Sequence, residues 1–146
     1  MNRNVLCAVD INRPGEEVDV LKQAKKQADL DGALLDVITV VPDFGASVVG
    51  AYFKDHDVKT AQDSAAEALK SLVGEVIGEE ANKDVRHIVG VGSVYEEVLK
   101  TARLCGADLI VIGAHSPDLK DYLLGPNAAR VVRHSTCSVF VVRGPA

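Results

Sequence analysis

The sequence contains no tryptophan, and aromatic residues make up only 4% of it. Proteins that bind single-stranded nucleic acid usually stack the bases on aromatic side chains. The chain has 16 lysine and arginine residues against 21 aspartate and glutamate residues, which gives a formal net charge of -5, and its basic residues are scattered along the sequence. Nucleic-acid-binding domains instead concentrate basic residues in a patch. The composition therefore argues against nucleic acid as a partner.

Long apolar runs are also missing. No stretch approaches the roughly 18 apolar residues that a membrane-spanning helix needs, and the N-terminus, M-N-R-N-V-L-C-A-V-D, lacks the order of a signal peptide. We predict no membrane insertion and a cytoplasmic location. The three cysteines, Cys7, Cys105 and Cys137, are widely spaced and form no C-x-x-C pair. Reduced packing thiols are therefore predicted rather than a zinc site or a disulfide.

Short apolar segments alternate with helical segments along the 146 residues. Apolar runs that are typical of buried strands cover 4–9, 33–41, 85–91, 108–113 and 138–143. Apolar residues at helical spacing cover 15–31 and 60–77, and two further helices are predicted between Ser93 and Gly106 and between Pro126 and His134. The alternation predicts one α/β domain over residues 1–146. Its core is a single open, five-stranded parallel sheet, Rossmann-like, with helices on both faces.

Two segments between these elements carry local signals. Ser93 and Glu96 form the S-x-x-E pattern of a capping box, and Gly106 stands where a glycine ends a helix. Residues 43–57 contain two glycines and show no stable period. We predict that they form a long loop that acts as a lid or as a contact surface.

The most informative stretch follows the fourth predicted strand. A loop opens at Gly113 and closes at Gly125, and a helix begins at Pro126. A glycine loop that runs from a strand into a helix N-terminus is suited to phosphate, because free N–H groups and the helix dipole both face the anion. The sequence therefore predicts a nucleotide ligand.

Pro126 fits the first position of that helix, because its missing N–H would have no partner within the helix. The N–H groups of Asn127 and Ala128, the Asn127 side-chain amide and the helix dipole remain available to a phosphate. The dipole is worth about 0.3 to 1 kcal/mol. We therefore predict a phosphate contact that is weakened rather than abolished.

The run S-P-D-L-K-D-Y-L-L-G-P-N-A-A-R-V-V-R-H-S-T-C-S-V-F-V-V-R resembles the closing segment of small single-domain members of the universal stress protein family. The nucleotide-binding pattern of that family is G-x-x-G, nine residues, G-[S/T]. Gly113, Ser116 and Gly125 occupy its glycine positions, with a spacer one residue shorter, and Pro126 replaces the hydroxyl residue. Ala8 stands where the family often has proline, and N-R-P-G follows where a serine or threonine is common.

The resemblance implies the strand order 3-2-1-4-5 of the adenine nucleotide alpha hydrolase-like fold. The ligand crevice then lies between strands one and four, which end at Asp10 and Gly113. The implied ligand is ATP or another adenine nucleotide, ADP or AMP, accompanied by Mg²⁺, with adenine recognised by Asp10 and Val40. The predicted nucleotide-binding residues are Ala8, Val9, Asp10, Val40, Ile112, Gly113, Ser116, Gly125, Pro126, Asn127 and Ala128.

The resemblance also implies a homodimer formed through the last strand, which begins at Ser138 and ends at Arg143. An apolar edge strand needs a partner, and a two-fold antiparallel pairing suits this one. Two functions stay open: an adenine-nucleotide-binding sensor or regulator in the stress response, and a nucleotide-free module that binds an unknown protein partner. No residue is a convincing general base, so the chain is predicted not to be an enzyme.

Overall fold

The computed structural model describes residues 3–42, 55–114 and 124–143. The five strands form one parallel sheet in the order β3-β2-β1-β4-β5. They are β1 (Asn4–Ala8), β2 (Leu34–Val41), β3 (Arg86–Val91), β4 (Leu109–Gly113) and β5 (Ser138–Val142). The helices are α1 (Val18–Asp31), α2 (Asp55–Ile77), α3 (Glu79–Asn82), α4 (Val94–Cys105) and α5 (Pro126–His134). The predicted fold class and strand order are confirmed.

Each face of the sheet has its own hydrophobic core. Side chains of a strand point alternately to the two faces, so Val5 and Cys7 of β1 join one core while Leu6 and Ala8 join the other. The first core is covered by α1 and α2, and the second by α4 and α5. In a strand that is covered on both faces, successive side chains are all buried, and this explains the continuous apolar runs in the sequence.

The predicted helix ends agree with the structure where glycine supplies the conformation. Gly32 after α1 and Gly106 after α4 adopt left-handed backbone angles, with φ of 61° and 64°. In both cases the glycine N–H donates to carbonyls of the last helical turn. A side chain at such a position would be strained, so glycine is the residue that ends these helices cleanly.

An ion pair between a buried carboxylate and an exposed arginine fixes the register of β2 against β3. Asp36 is buried in β2, and its two carboxylate oxygens accept hydrogen bonds from Nε and Nη2 of Arg86 at 3.0 and 2.9 Å. The two residues are direct partners in the parallel ladder. A bidentate pair has narrow geometric tolerance, so a slip of the strands would leave the buried carboxylate without its cation.

Three expectations for the helices are wrong. Helix α2 begins at Asp55 rather than Thr60, because helical backbone extends through the polar residues that precede the apolar period. The last residues of the predicted loop 43–57 are therefore helical, and the remainder of that loop and its lid role lie outside the described residues. The four-residue α3 was not predicted, because it is too short to show a period.

The predicted capping box is the third. Ser93 is the N-cap residue of α4, as expected, but its side chain makes no capping hydrogen bond. Glu96 instead accepts a hydrogen bond from the hydroxyl of Tyr95 at 3.1 Å, which holds its carboxylate away from the cap. The helix still begins where the motif placed it, because Glu97 N–H donates to the Ser93 carbonyl at 3.0 Å.

Three further observations bear on the sequence-based expectations. The cysteines are free thiols, and Cys7 is buried. Across the described ranges, no group of three or more His, Cys, Asp or Glu residues could hold a metal ion. None of the helices in those ranges has the length and apolar character to cross a membrane.

Candidate functional site

A cavity of about 350 Å³ lies outside the carboxyl ends of the central strands β1 and β4. This is the point where the winding of the sheet reverses, because β1 pairs with β2 on one side and with β4 on the other. Ligands of open α/β sheets bind at this point. The volume falls within the range of small-molecule sites, which starts at about 300 Å³.

Every predicted site residue except Ser116 lines this one cavity. Ser116 lies outside the described residues. The predicted residues come from four separate parts of the chain, so the fold brings together what the sequence spreads over more than a hundred positions. The lining residues that had been predicted are Ala8, Val9, Asp10, Val40, Ile112, Gly113, Gly125, Pro126, Asn127 and Ala128.

The cavity has an apolar wall and a polar end. The wall includes side chains from β2, the residue after it, and the start of α4: Ile38, Val40, Pro42, Val94 and Val98. The polar end combines residues that follow β1 with one from α5: Asp10, Asn12, Arg13, Glu17 and Asn127. A flat apolar group with a polar or charged extension would match both parts of the surface.

Asp10 is exposed at the mouth of the cavity, and backbone groups hold its carboxylate in place. Its Oδ1 accepts a hydrogen bond from the N–H of Asn12 at 2.9 Å, and its carbonyl accepts one from the N–H of Arg13 at 3.1 Å. An aspartate that bonds the backbone two residues ahead forms a local turn. Asp10 does not cap α1, whose N-cap residue is Glu17.

The two ends of the predicted phosphate loop meet beside β4. The N–H of Gly125 donates to the carbonyl of Ala114 at 2.7 Å, and the N–H of Ala114 donates to Val142 of β5 at 2.8 Å. Gly125 is the N-cap of α5 and Pro126 its first residue, as predicted. These bonds fix the N-terminus of α5 against the carboxyl end of the sheet.

Neither loop glycine needs a left-handed conformation. Gly125 has φ of -63°, and Gly113 belongs to the regular strand β4. Gly113 is instead favoured by close packing, because a Cβ there would lie 3.2 Å from Cγ2 of Val20, a tight contact, and 3.5 Å from Oε1 of Glu17. The lack of a side chain lets the start of α1 pack directly against β4.

The N-terminus of α5 offers main-chain donors to the cavity. The N–H of Ala129 is bonded to the Gly125 carbonyl at 2.9 Å, and Gly125 has no side chain to cap the turn. The first N–H groups of a helix have no partner within it. Asn127 and Ala128 both line the cavity, so their N–H groups are the ones that an anion would meet.

Arg130 and His134 of α5 carry side chains that could contact a phosphate or transfer a proton, but neither lines the cavity. The guanidinium of Arg130 lies over the ring of Tyr95, 5.0 Å from its centroid, and the His134 ring lies 6.4 Å from the same ring. These side chains connect α5 to α4 on the outside of the sheet. Their contacts explain them without a ligand.

Glu17 is the functional candidate that the sequence reasoning missed. It is only 7% exposed, and its Oε2 accepts a hydrogen bond from the N–H of Asp10 at 2.9 Å. The pKa of its carboxyl is raised from 4.5 to about 7, chiefly by burial. The hydrogen bond from the Asp10 N–H and the charge of Arg13 oppose this rise, and the carboxylates of Asp10 and Glu16 add to it. A carboxyl with this pKa is partly protonated at neutral pH.

A signal for Glu17 exists in the sequence. It precedes Val20, Leu21 and Ala24 by three, four and seven residues, so it lies on the buried face of α1. An acid in the first turn of a helix is ordinarily read as a solvated residue that favours the helix dipole. Its position in the apolar stripe distinguishes it from Asp19, which is exposed.

The fold and the cavity define a doubly wound α/β protein with a ligand site at the reversal of its sheet. The model of the universal stress protein family matches residues 1–143, and the chain belongs to that family. It is 29% identical over 150 residues to universal stress protein G of Escherichia coli O157:H7, with 98% of this chain and 100% of the relative covered.

Solved structures share the fold. A universal stress protein from Archaeoglobus fulgidus in complex with dAMP has a TM-score of 0.64 at 21% identity, covering 97% of this chain and 98% of that one. A universal stress protein in complex with cAMP has the same TM-score and identity, with 98% of both chains covered.

The raised pKa of Glu17 predicts that this residue lowers stability above neutral pH. The stability that the protonated Glu17 carboxyl contributes is fully present below pH 4.5 and is lost as the pH rises to 7. Over that interval the carboxyl ionises in the unfolded chain but stays protonated in the folded protein, so ionisation favours the unfolded chain. Glu17→Gln keeps an acceptor for the Asp10 N–H. We expect it to raise the free energy of unfolding by about 2 to 3 kcal/mol at pH 8 and by less than about 1 kcal/mol at pH 5, measured by urea denaturation.

The matched control is Asp19→Asn, which removes one carboxylate from the same helix turn at an exposed position. It should change stability little and equally at both pH values. An equal effect of Glu17→Gln at pH 5 and pH 8 would show that the buried carboxyl does not titrate differently in the folded and unfolded states.

Proposed function

We propose that this universal stress protein binds an adenine nucleotide in the cavity and acts as a sensor or regulator in the stress response. The observation that carries the proposal is that one cavity joins an apolar slot to the N-terminus of α5. The slot suits a base, and the helix N-terminus suits a phosphate. That neighbours of the same fold were solved with dAMP and with cAMP supports the choice of adenine.

The base would lie between the aliphatic side chains of Val40 and Ile112, which belong to strands on either side of β1. Adenine carries an exocyclic amino group that donates hydrogen bonds. Asp10 lies at the mouth of the same slot with a carboxylate that is held by the Asn12 N–H. It is the acceptor that we assign to the adenine edge.

The phosphate would lie at the N–H groups of Asn127 and Ala128, beside Gly125. Pro126 supplies no N–H, so the helix offers one donor fewer than a serine or threonine there would allow. This favours a ligand whose affinity comes largely from its base and ribose. Which of ATP, ADP and AMP is preferred, and whether Mg²⁺ accompanies it, stay predictions.

We propose a binding role rather than catalysis. Among the described residues that line the cavity, none is a serine, threonine, cysteine or histidine, so these nucleophiles and the imidazole base are absent there. The two carboxyls of the lining, Asp10 and Glu17, each accept a backbone N–H. A regulator would transmit occupancy through a change at its surface, and the dimer contact would be the part that responds. The cytoplasmic location also stays a prediction.

Calorimetric titration of AMP, ADP and ATP into protein that has been unfolded, stripped and refolded tests the proposal. We expect affinity for at least one of them in the micromolar range, weakened about tenfold or more by Asp10→Ala or by Gly125→Val, which adds a side chain at a position that lines the cavity. Pro126→Ser restores a hydroxyl and an N–H at the start of α5. It should tighten binding about fivefold, the equivalent of roughly 1 kcal/mol.

Asp19→Ala serves as the control, because it removes an exposed carboxylate of α1 outside the cavity. Melting temperatures of all variants establish that they are folded. Absence of heat with all three nucleotides at millimolar concentration, including with the Pro126→Ser variant, would exclude the sensor function. The chain would then be a nucleotide-free module that acts through an unknown protein partner.

We further propose that β5 mediates a homodimer. β5 is at one edge of the sheet, and Val139, Phe140 and Val141 are each partly buried within the single chain. Val142 turns its carbonyl toward β4, where it accepts the Ala114 N–H. Because backbone direction alternates along a strand, the N–H and carbonyl of Val141 face the open edge. An antiparallel, two-fold pairing would satisfy them.

Because N–H groups point alternately to the two sides of β5, two neighbouring proline substitutions form a matched pair of variants. Val141→Pro removes an N–H that faces the edge, whereas Phe140→Pro removes one that faces β4. We expect Val141→Pro to remain folded and to sediment as a monomer in analytical ultracentrifugation, and Phe140→Pro to lose several kcal/mol of stability, of the order seen for proline within a regular element. A Val141→Pro protein that stays dimeric would exclude pairing through this edge.

A further inference from the structure

The buried carboxyl of Glu17 lines the cavity but takes part in none of the contacts proposed above for the nucleotide. Glu17 lines the cavity with Asp10, Gly113 and Asn127, and it is 7% exposed. Buried carboxyls are rare unless they are paired with a cation or serve a function. Arg13, which also lines the cavity, forms its ion pair with Glu16 at 3.4 Å rather than with Glu17.

The carboxyl lies between the two ends of the proposed ligand. Its Oε2 accepts the N–H of Asp10, the residue assigned to the base. Its Oε1 lies 3.5 Å from the place that a Cβ on Gly113 would occupy. Gly113 leads into the loop that ends at the N-terminus of α5. Glu17 and Asn127 line the same cavity, so a nucleotide that spans it from Asp10 to Asn127 would share that cavity with this carboxyl.

The titratable groups around Glu17 are mostly acidic, and one of them, the buried Cys7 thiol, stays neutral because burial raises its pKa. The Asp10 carboxylate follows β1, and the thiol of Cys7 lies within β1 itself. The turn before α1 contributes the Glu16 carboxylate and the Arg13 guanidinium. The cavity-lining residues of β4 and of the first turn of α5 carry no charged side chain. Arg13 is thus the one cation that acts on Glu17 among the groups that shift its titration.

We propose that Glu17 takes up a proton when a phosphate-bearing ligand enters the cavity, and that it thereby determines which charge the site accepts. The proposal rests on nucleotide binding in this cavity. An ionised Glu17 would repel the phosphate, and because the Glu17 carboxyl is itself buried, water would screen that repulsion only in part. A protonated Glu17 removes that repulsion, and its O–H donates a hydrogen bond to an oxygen of the ligand. Glu17 is in this sense the specificity-determining residue for anionic ligands.

The consequence for affinity follows from linkage. In the free protein the pKa of Glu17 is about 7, so the proton is present below neutral pH and must be taken up from solution above it. AMP should bind about fivefold more weakly at pH 8 than at pH 7, and still more weakly above pH 8. Adenosine has no phosphate, so its affinity should change much less over the same interval.

Calorimetry between pH 7 and pH 8.5 tests the proposal, with AMP and adenosine as the probes. Titrations of AMP at pH 8 in two buffers of different ionisation enthalpy count the protons taken up by the unmodified chain, and we expect nearly one. Glu17→Gln should bind AMP at pH 8 about as tightly as the unmodified chain does at pH 6.5, without the pH dependence. Asp19→Asn, an exposed neighbour on α1, should behave as the unmodified chain.

The second proton of a phosphate has a pKa of about 6, and its effect should be the same in the unmodified chain and in Glu17→Gln. AMP binding with no proton uptake, or with equal pH dependence in both proteins, would overturn the role of Glu17 while leaving nucleotide binding intact. Absence of AMP binding at every pH, in both proteins, would overturn the proposed function and this proposal with it. The proton count needs no variant, so it holds even if Glu17→Gln folds poorly.

Discussion

The parallel pairing of β1 with both β2 and β4 is the constraint on which the rest of the molecule depends. From β1, the chain winds outward to β2 and β3 through helices on one face, and then returns to β4 and β5 through helices on the other. The connections after β1 and β4 therefore leave in opposite directions. A crevice remains at the carboxyl ends of the two strands, and none of the helices in the described ranges covers it.

The same constraint brings a carboxyl into an apolar place. Helix α1 begins close beneath the end of β1, and Gly113 has no side chain to hold it off β4. Glu17 is consequently buried at the first turn of α1, with a pKa of about 7. A neutral side chain that still accepts the Asp10 N–H, such as glutamine, would suit this position better for stability above neutral pH. Residues that a fold tolerates at a cost in stability concentrate at functional sites, which is the reason for assigning Glu17 a role in binding.

Much of the fold could be predicted because it depends on local patterns. Buried strands appear as continuous apolar runs, and Gly32 and Gly106 mark the ends of two helices. The strand order required more than local patterns, and it came from the resemblance. The start of α2 and the whole of α3 were missed because polar helical segments have no apolar period. The capping box failed because Tyr95 competes for the Glu96 carboxylate.

The candidate site shows the same division. Asp10, Gly113 and Gly125 could be found because they end strands or begin a helix, and the sequence shows where these elements end and begin. Glu17 could not be weighed in this way, since its burial depends on the turn at Pro14–Glu16 and on the closeness of β4. These are contacts between distant parts of the chain. In the sequence, such contacts are indicated only by a charged residue at a position that belongs to the apolar face of a helix.

The measurement that tests the central claim most directly is a titration of the ¹⁵N-labelled protein with AMP, followed by amide chemical shifts. The account predicts that the amides of Asp10, Gly113, Asn127 and Ala128 move together with one dissociation constant. Amides at the opposite end of the sheet, such as those of Ser135 and Cys137, should stay in place. Shifts that are absent at millimolar AMP, or that gather away from the carboxyl ends of β1 and β4, would contradict it.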